Sequence, residues 1–390
     1  MSHIYLDHSA TTPLDPRVLE AMIPYFVEDY GNASSDHSFG RSAEAAVEKA
    51  RRTIAGILNC KPTEIVFTSG GSESDNLAVR GAAWAGRVKN GANHLITTPI
   101  EHGAIGKTVD QLVKLQGFEH SLLPVDEFGR VSPDDLAKAC RAETSLASVI
   151  YANNEVGTIE PIAELAAAAH ERGVLFHTDA VQAAGQLPLD VQKLGVDLLS
   201  ISAHKFYGPK GVGALYVRDG LELVTAQTGG GQERGRRAGT YNTPAIVGLA
   251  RALELAYATL AERTAHYRTL RDHLIEGILT ANPQARLSGH PEQRLPSHAS
   301  FVFDGLNSGP LLDYLDLNGI AASAASACKA GSAEPSSVLL ALGYSRKLAS
   351  CSLRLTVGLQ TTAEAIDTAI GVVTAGVHKY SQTAPALAVS

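Results

Sequence analysis

Stretches with strand-like and helical patterns alternate from about residue 16 to residue 218 of this chain. Amphipathic segments such as residues 40–58, with apolar positions at helical spacing, separate short apolar runs that suit buried strands. This alternation predicts a mostly parallel sheet covered by helices, because a helix must carry the chain back before the next parallel strand begins. We therefore expect an α/β fold. The strand candidates are residues 64–68, 94–98, 146–151, 174–178, 196–202 and 213–217.

The pattern changes near residue 243. Residues 243–279 are helical almost throughout, with room for one break, and a helix of that length often bridges two domains. Shorter strand candidates follow at residues 298–303 and 353–356, and they suit a smaller α+β domain. A chain of 390 residues is long enough for two domains. We predict a large domain of residues 15–255 and a small domain of residues 1–14 and 256–390.

The composition limits the range of partners. A formal net charge of −7 argues against nucleic acid, whose phosphates favour a basic face. Four cysteines in a chain of this length do not make a disulfide framework, and the N-terminus meets Asp7 before any signal-like apolar core develops. No apolar run approaches the roughly 20 residues of a membrane span. We expect a cytoplasmic protein that binds neither nucleic acid nor a membrane.

An acid and an amine follow two of the strand candidates. Asp179 comes directly after residues 174–178, and Lys205 comes shortly after residues 196–202. In α/β proteins such positions lie in the crevice where ligands bind. A carboxylate that keeps the pyridine nitrogen protonated and a lysine that forms a Schiff base are what pyridoxal 5′-phosphate (PLP) requires. For these two residues alone, a buried ion pair beside a surface lysine is the simpler interpretation; the neighbouring segments reverse that preference.

Residues 68–74 follow a strand candidate and open a helix, and they include Gly71 and Ser72. Glycines let the backbone approach an anion, and the N–H groups at a helix start favour phosphate. The segment lacks the lysine of a nucleotide-binding P-loop. A plain turn with Ser72 as the N-cap is the alternative. Since Ser202 and His204 could add phosphate donors, PLP is the economical explanation.

Three polar residues could complete such a site. His102 could stack on a cofactor ring, although a lone histidine at such a position is usually structural. Asn154 follows another strand candidate, where an amide can bond a ring oxygen or a substrate carboxylate. Gln182 lies three residues after Asp179, on the same side of the turn.

Two loop-like segments carry further candidates. Residues 229–240 are glycine-rich and basic, and they form either a surface loop or a loop that closes over a phosphate, including one in a neighbouring subunit. Residues 321–332 are mostly small and lack apolar periodicity, which predicts a mobile, accessible loop around Cys328. Cysteine is more often a buried apolar residue, but the adjacent Lys329 could stabilise a nucleophilic thiolate.

Arg354 interrupts a strand-like run near the C-terminus. Its guanidinium could bind a substrate carboxylate through two hydrogen bonds, whereas a surface salt bridge is the alternative. The remaining cysteines, Cys60, Cys140 and Cys351, show no CxxC spacing, so we predict no metal site.

Taken together and in this order, the motifs resemble the cysteine desulfurases of the NifS/IscS type, within the PLP-dependent fold type I (class V aminotransferase) superfamily. The resemblance implies a fold type I transferase with a large PLP-binding domain and a small C-terminal domain that carries the catalytic cysteine loop. The matching segments are residues 5–12, 68–76, 153–157, 177–182, 202–213, 229–240 and 326–328, with the strand of Arg354.

The resemblance also assigns roles. Lys205 would be the Schiff-base lysine, Asp179 the partner of the pyridinium, and His102 the stacking residue. Cys328 would take the sulfur. The remaining roles would be ring-oxygen contacts from Gln182 and Asn154, phosphate contacts from Gly71, Ser72, Ser202 and His204, a contact from Thr240 to the partner subunit's phosphate, and carboxylate binding by Arg354 with Asn154.

The implied activity is conversion of L-cysteine to L-alanine with a persulfide left on Cys328. A sulfur-acceptor protein, such as an Fe–S scaffold, would collect that sulfur for cluster or thio-cofactor synthesis, and the enzyme would be a homodimer. Ala325 and Lys329 depart from the usual family loop, which affects rate and partner choice rather than reaction type. A selenocysteine lyase or other fold type I enzyme and a PLP-binding sulfur-relay subunit are the alternatives.

Overall fold

The computed structural model describes residues 3–306, 308–324 and 335–381. Short 3₁₀ turns lie at Pro62–Glu64, Ala203–Lys205 and Glu233–Gly235. The strands are β1 (Ile4–Tyr5), β2 (Ile65–Thr68), β3 (His94–Thr97), β4 (Glu119–Leu122), β5 (Thr144–Ser148), β6 (Leu175–Asp179), β7 (Leu198–Ser202), β8 (Gly213–Val217), β9 (Ala285–Leu287), β10 (His298–Phe303), β11 (Ile320–Ala321) and β12 (Ser352–Thr356). The helices are α1 (Pro16–Met22), α2 (Pro24–Val27), α3 (Ser38–Leu58), α4 (Gly71–Asn90), α5 (Gly103–Gln116), α6 (Pro133–Ala139), α7 (Ile162–His170), α8 (Val191–Leu194), α9 (Thr243–Ala258), α10 (Leu260–Ala281), α11 (Ser308–Leu317), α12 (Ser337–Ala341), α13 (Arg346–Ala349) and α14 (Ala363–Ser381).

The large sheet has the strand order β2-β8-β7-β6-β5-β3-β4 in the described chain. Strands β7, β6, β5, β3 and β4 are parallel to one another, whereas β8 is antiparallel to both of its neighbours. Strands β5, β6 and β7 are buried almost completely, which is the usual state of parallel strands covered on both faces. The expected α/β fold with a mostly parallel sheet is confirmed.

Helices cover the large sheet on both faces. On one face, α3 and α9 bury Ile54 and Leu249 in the main core with Phe176 of β6. On the other face, α4 and α5 bury Ala78 and Leu112 in a second apolar cluster. The sheet is therefore held rigid from both sides, and the C-terminal ends of its parallel strands are left as the place where polar side chains can gather.

A smaller α+β unit has its own apolar core. Strands β12-β10-β9 form an antiparallel sheet, and β1 pairs with β11 in parallel. Leu274, Phe301, Leu353 and Val373 meet in a cluster separate from the main one. Strand β1, near the start of the described chain, therefore belongs to this smaller unit. The exact boundaries at residues 15–255 and 256–390 stay a prediction.

The predicted strands are confirmed within a few residues, and in the described chain β1, β4, β9 and β11 have no predicted counterpart. Strand β4 was not expected because its residues are largely exposed and polar, so no apolar run marks it. The long helical stretch is broken at Thr259, where α9 and α10 meet at 74°. In the described residues no single helix is long and apolar enough to span a membrane, although α9 and α10 together pass that test by length and composition.

Candidate active site

The ends of the parallel strands open into a cavity of about 270 Å³. Its walls come from the large sheet, from the segment after β1 and from β12 of the smaller unit. The site therefore needs both apolar cores to be in place. The lining residues are Ser9, Ala10, Gly71, Ser72, Asp75, His102, Ile150, Asn154, Asp179, Val181, Gln182, Ser202, His204, Lys205 and Arg354. Apart from Thr240 and Cys328, this set contains every residue that the sequence analysis assigned to the site.

Asp179 is the last residue of β6, and its side chain is buried at the base of the cavity. Its Oδ1 accepts a hydrogen bond from the backbone N–H of Val181 at 2.9 Å. Burial raises the pKa of Asp179 above its ordinary value, and the positive charges of His102 and Lys205 oppose that rise. A cation placed against this carboxyl group would stabilise its ionised form.

Lys205 closes the 3₁₀ turn that follows β7 and is half-buried. Its Nζ donates hydrogen bonds to the backbone oxygens of Ser9 and Ala10. Gln182 is buried next to it and donates from Nε2 to the same Ser9 oxygen at 2.9 Å. The segment after β1 thus holds the amine at the cavity wall, and the alternative of a surface lysine is wrong.

His102 and Asn154 enter the cavity from loops whose shapes are fixed by hydrogen bonds. His102 is the N-cap of α5, and its Nδ1 accepts the backbone N–H of Ala104 at 3.2 Å, so in a neutral ring Nε2 carries the proton. Asn154 lies in a turn that Asn153 stabilises by accepting the N–H groups of Glu155 and Val156. Both positions follow from local backbone chemistry.

A second cavity, of about 380 Å³, adjoins the first and shares Gly71, Ser72, Ser202 and His204 with it. It lies at the N-terminal end of α4, where helix N–H groups lack intrahelical acceptors. The N-cap of α4 is Gly70, with φ of 150°, so the alternative in which Ser72 caps the helix is wrong. Lys210 adds a cationic side chain to this end. The arrangement favours a phosphate.

Arg354 lies on β12 and is 3% exposed, so the alternative of a surface salt bridge is wrong. Its Nη2 donates to Asp7 Oδ1 at 2.8 Å and its Nη1 donates to the Asn154 backbone oxygen at 3.0 Å. Among the described residues, its Nε has no hydrogen-bond partner. A buried guanidinium with N–H capacity to spare, at the cavity wall, can bind a carboxylate.

Asp75 is a site residue that the sequence analysis did not single out. It is fully buried on α4, and its ligand oxygen, one from Asp179 and a ring nitrogen of His102 all lie within 4.8 Å of one another. Burial and the negative charge of Asp179 raise its pKa well above the ordinary value. A single cationic N–H group among these residues would face two carboxyl groups. The sequence signal that could have identified Asp75 is its position in residues 68–76, one helical turn after Ser72.

Within the described chain, Thr240 is the one assigned residue that does not line the cavity. Thr240 is exposed at the end of the glycine-rich segment and borders a separate pocket with Arg237 and Tyr241. Cys328, with Ala325 and Lys329, lies outside the described residues, so the predicted loop around it stays a prediction.

Comparison with known proteins gives the family. Residues 4–368 match the model of the family described as aminotransferase class-V. The chain belongs to the class-V aminotransferase family. Within that family it is 48% identical, over 98% of its length and 94% of the relative's, to a protein of Methanosarcina thermophila named cysteine desulfurase IscS.

Solved structures agree with this placement. A NifS-like protein superposes with a TM-score of 0.90 at 37% identity and covers 97% of this chain and 100% of that one. SspA in complex with cysteine gives a TM-score of 0.80 at 36% identity, with 92% of this chain and 100% of that one covered. The fold type I architecture expected from the sequence is confirmed.

Enzymes of this family use PLP, and the two adjoining cavities fit that cofactor. The anion-binding end at α4 suits the phosphate, and the buried carboxyl of Asp179 suits a protonated ring nitrogen. Position 71 requires glycine, because a Cβ there would lie 2.8 Å from Val181 Cγ2. Its backbone can therefore approach both Val181 and a ligand. The charges of these residues therefore complement PLP both at its phosphate and at its ring nitrogen.

Proposed function

We propose that this protein is a PLP-dependent cysteine desulfurase. It converts L-cysteine to L-alanine and accepts the sulfur on Cys328. The observation that carries the proposal is the meeting of Lys205, Asp179 and Arg354 in one cavity, because these residues supply an amine, a buried carboxylate and a carboxylate-binding guanidinium. Its relatives at about half identity over nearly the whole chain are named cysteine desulfurases.

When bound, PLP supplies a conjugated ring that stabilises the negative charge formed at Cα. Asp179 would hold the proton on the ring nitrogen, and His102 would cover one ring face. Arg354 would bind the carboxylate of L-cysteine and so orient its Cα–H bond. Lys205 Nζ, after release from covalent attachment, would take the Cα proton.

Cys328 would complete the reaction. Its thiolate would attack the sulfur of L-cysteine, and the substrate C–S bond would break with its electron pair passing to Cβ. Cβ would take the proton of the substrate thiol and Cα would take back the proton held by Lys205, which completes L-alanine. The products are L-alanine and a persulfide, so atoms and electrons balance without another reactant. Burial raises the pKa of Cys60 to about 12 and also raises those of Cys140 and Cys351. These three thiols are therefore poor nucleophiles near neutral pH.

We also propose that the persulfide passes to an acceptor protein such as an Fe–S scaffold, and that the enzyme is a cytoplasmic homodimer. Thr240 supports the dimer, because it is exposed and lies apart from its own chain's cavity. It is free to serve the phosphate end of a second copy. The cysteine usage, four residues in a long chain, supports a reducing compartment.

The deciding experiment measures L-alanine and sulfide release from L-cysteine by the PLP-loaded protein, with and without a reductant. We expect alanine from the wild type, none from Cys328→Ala, and unchanged release from Cys60→Ala as the matched control. Alanine formation unaffected by Cys328→Ala would move the chemistry towards a lyase. No alanine from the wild type despite bound PLP would reject the proposed substrate.

A further inference from the structure

The carboxylate of Asp7 links Arg354, which lines the cavity, to Ser323, which follows β11. Oδ1 accepts the hydrogen bond from Arg354 Nη2 at 2.8 Å, and Oδ2 accepts one from Ser323 Oγ at 2.8 Å. Asp7 comes two residues after β1, and Ser323 comes two residues after β11, so the pairing of these strands brings both to β12. One carboxylate thus joins the N-terminal segment, β12 and the chain that leads towards Cys328.

The backbone reinforces the same connection. Arg354 N donates to Ser323 O at 2.6 Å, and Ser323 N donates to Arg354 O at 3.3 Å. Asp7 forms a parallel bridge to Thr356, two residues along β12. Asp7, Ser323 and Arg354 therefore form a closed set in which each contacts the other two. Their relative positions cannot change independently.

The guanidinium of Arg354 is oriented but not used up by these contacts. Nη2 donates one hydrogen bond to Asp7, and Nη1 donates one to the Asn154 backbone oxygen. Nε has no hydrogen-bond partner among the described residues. A purely structural pair would be expected to satisfy the buried donors more fully. Asp7 also balances the charge of a buried arginine in the absence of substrate, since an unpaired one would be costly.

We propose that Asp7 is a positioning residue for recognition of the substrate carboxylate. It fixes the plane of the Arg354 guanidinium so that the remaining N–H groups of the two terminal nitrogens can meet a carboxylate in the cavity. Its second oxygen, through Ser323, fixes the end of β11 against β12. This inference rests on the proposed function and adds to it how carboxylate-bearing substrates are selected.

The test measures binding of two amines to the PLP-loaded protein by absorbance titration. L-alanine carries the carboxylate, and ethylamine is the same molecule without it. The dissociation constant of ethylamine divided by that of L-alanine reports carboxylate recognition alone, because a general loss of the fold or of the cofactor weakens the binding of both amines. We expect Asp7→Ala to lower this ratio at least tenfold, Asp7→Asn to lower it less, and Arg354→Ala to abolish the preference.

Tyr5→Phe is the matched control. The Tyr5 hydroxyl donates to the backbone oxygens of Asp7 and Thr11, so its removal disturbs the same segment without touching the Asp7 carboxylate. The ratio should not change in this variant. In the Arg354→Ala background, adding Asp7→Ala should have no further effect, because Asp7 acts through the arginine.

The outcomes separate the two levels of the proposal. This inference alone would be overturned if Arg354→Ala abolishes the preference for L-alanine while both Asp7 variants leave it unchanged. An effect of Asp7→Ala that persists without Arg354 would also overturn it. If the wild type neither prefers L-alanine nor forms it from L-cysteine, the proposed function fails and this inference fails with it.

Discussion

Lys205 Nζ donates a hydrogen bond to the backbone oxygen of Ala10 at 2.8 Å. This contact joins the 3₁₀ turn after β7 to the segment that follows β1, although 195 positions separate the two residues in the chain. The amine is therefore directed to one wall of the cavity before any ligand is present. Its position depends on the smaller unit, because β1 pairs with β11 there.

Replacement of Lys205 by alanine should abolish alanine formation, with a loss of at least about 10³-fold, because one group both attaches the cofactor and transfers a proton. Borohydride reduction followed by peptide mass spectrometry should find the cofactor on Lys205 in the wild type and nowhere in the variant. Lys193→Ala, a change of an exposed lysine on α8, should behave as the wild type. Attachment to Lys210 would contradict the assignment.

Gly213 should be essential to the phosphate end of the site. It pairs with Thr68 on one side and Ser202 on the other, and an added Cβ would lie 2.6 Å from Ile201 O and 2.8 Å from the carbonyl carbon of Gly70. Gly213→Ala must push β8 away from the loop that opens α4. We expect a loss of about 1–3 kcal/mol in the free energy of unfolding and at least tenfold weaker PLP binding.

Fluorescence titration with PLP and urea denaturation measure both effects. Gly56→Ala is the control, because that exposed position in α3 has no atom within 4 Å of the added Cβ. It should be neutral or stabilise the protein by about 0.5–1 kcal/mol. Equal behaviour of the two variants would show that the close approach of β8 to Gly70 is unimportant.

The sequence was most informative where local chemistry determines position. The apolar runs of β6 and β7 predict the strands, and the strand ends predict that Asp179 and Lys205 meet. Asp75 and Asp7 could not be found in this way, because their roles depend on contacts across the fold. Asp75 faces Asp179 only through the packing of α4 on the sheet, and Asp7 reaches Arg354 only through the pairing of β1 with β11.

Stability should fall as pH rises through the neutral range, in part because of Glu160. Burial raises the pKa of Glu160 from 4.5 to about 8, and its Oε2 accepts the backbone N–H of Val131. Between pH 4.5 and 8 the unfolded chain releases this proton while the folded chain keeps it. The contribution of Glu160 is therefore fully present below pH 4.5 and is lost as pH rises towards 8.

Urea denaturation from pH 5 to 8.5 tests this dependence. Glu160→Gln should show a shallower decline than the wild type, since each pKa unit corresponds to about 1.4 kcal/mol. Glu164→Gln, a change of an exposed residue on α7, should reproduce the slope of the wild type. If Glu160→Gln also declines as steeply as the wild type, Glu160 is ionised in the folded protein.

The buried ion pair of Arg51 and Glu233 should hold the glycine-rich segment that carries Thr240. Arg51 on α3 donates from Nη1 and Nη2 to the two oxygens of Glu233, and both side chains are almost fully buried. Glu233 and Arg234 have φ of 48° and 55°, a left-handed conformation that is unfavourable for residues other than glycine. The ion pair offsets that strain by fixing the segment to α3.

Glu233→Ala should therefore lower the free energy of unfolding by about 3–5 kcal/mol, because it leaves the buried Arg51 without its main partner. Glu254→Ala, which breaks the exposed pair of Arg251 and Glu254 on α9, should change it by about 1 kcal/mol or less. Urea denaturation compares the two variants.

The double change Arg51→Met with Glu233→Leu should recover much of the lost free energy of unfolding, because it removes the unpaired charge. A cost for Glu233→Ala no larger than that for Glu254→Ala would mean that the segment is held by other contacts, of which the pair of Arg237 with Glu73 is the first to test.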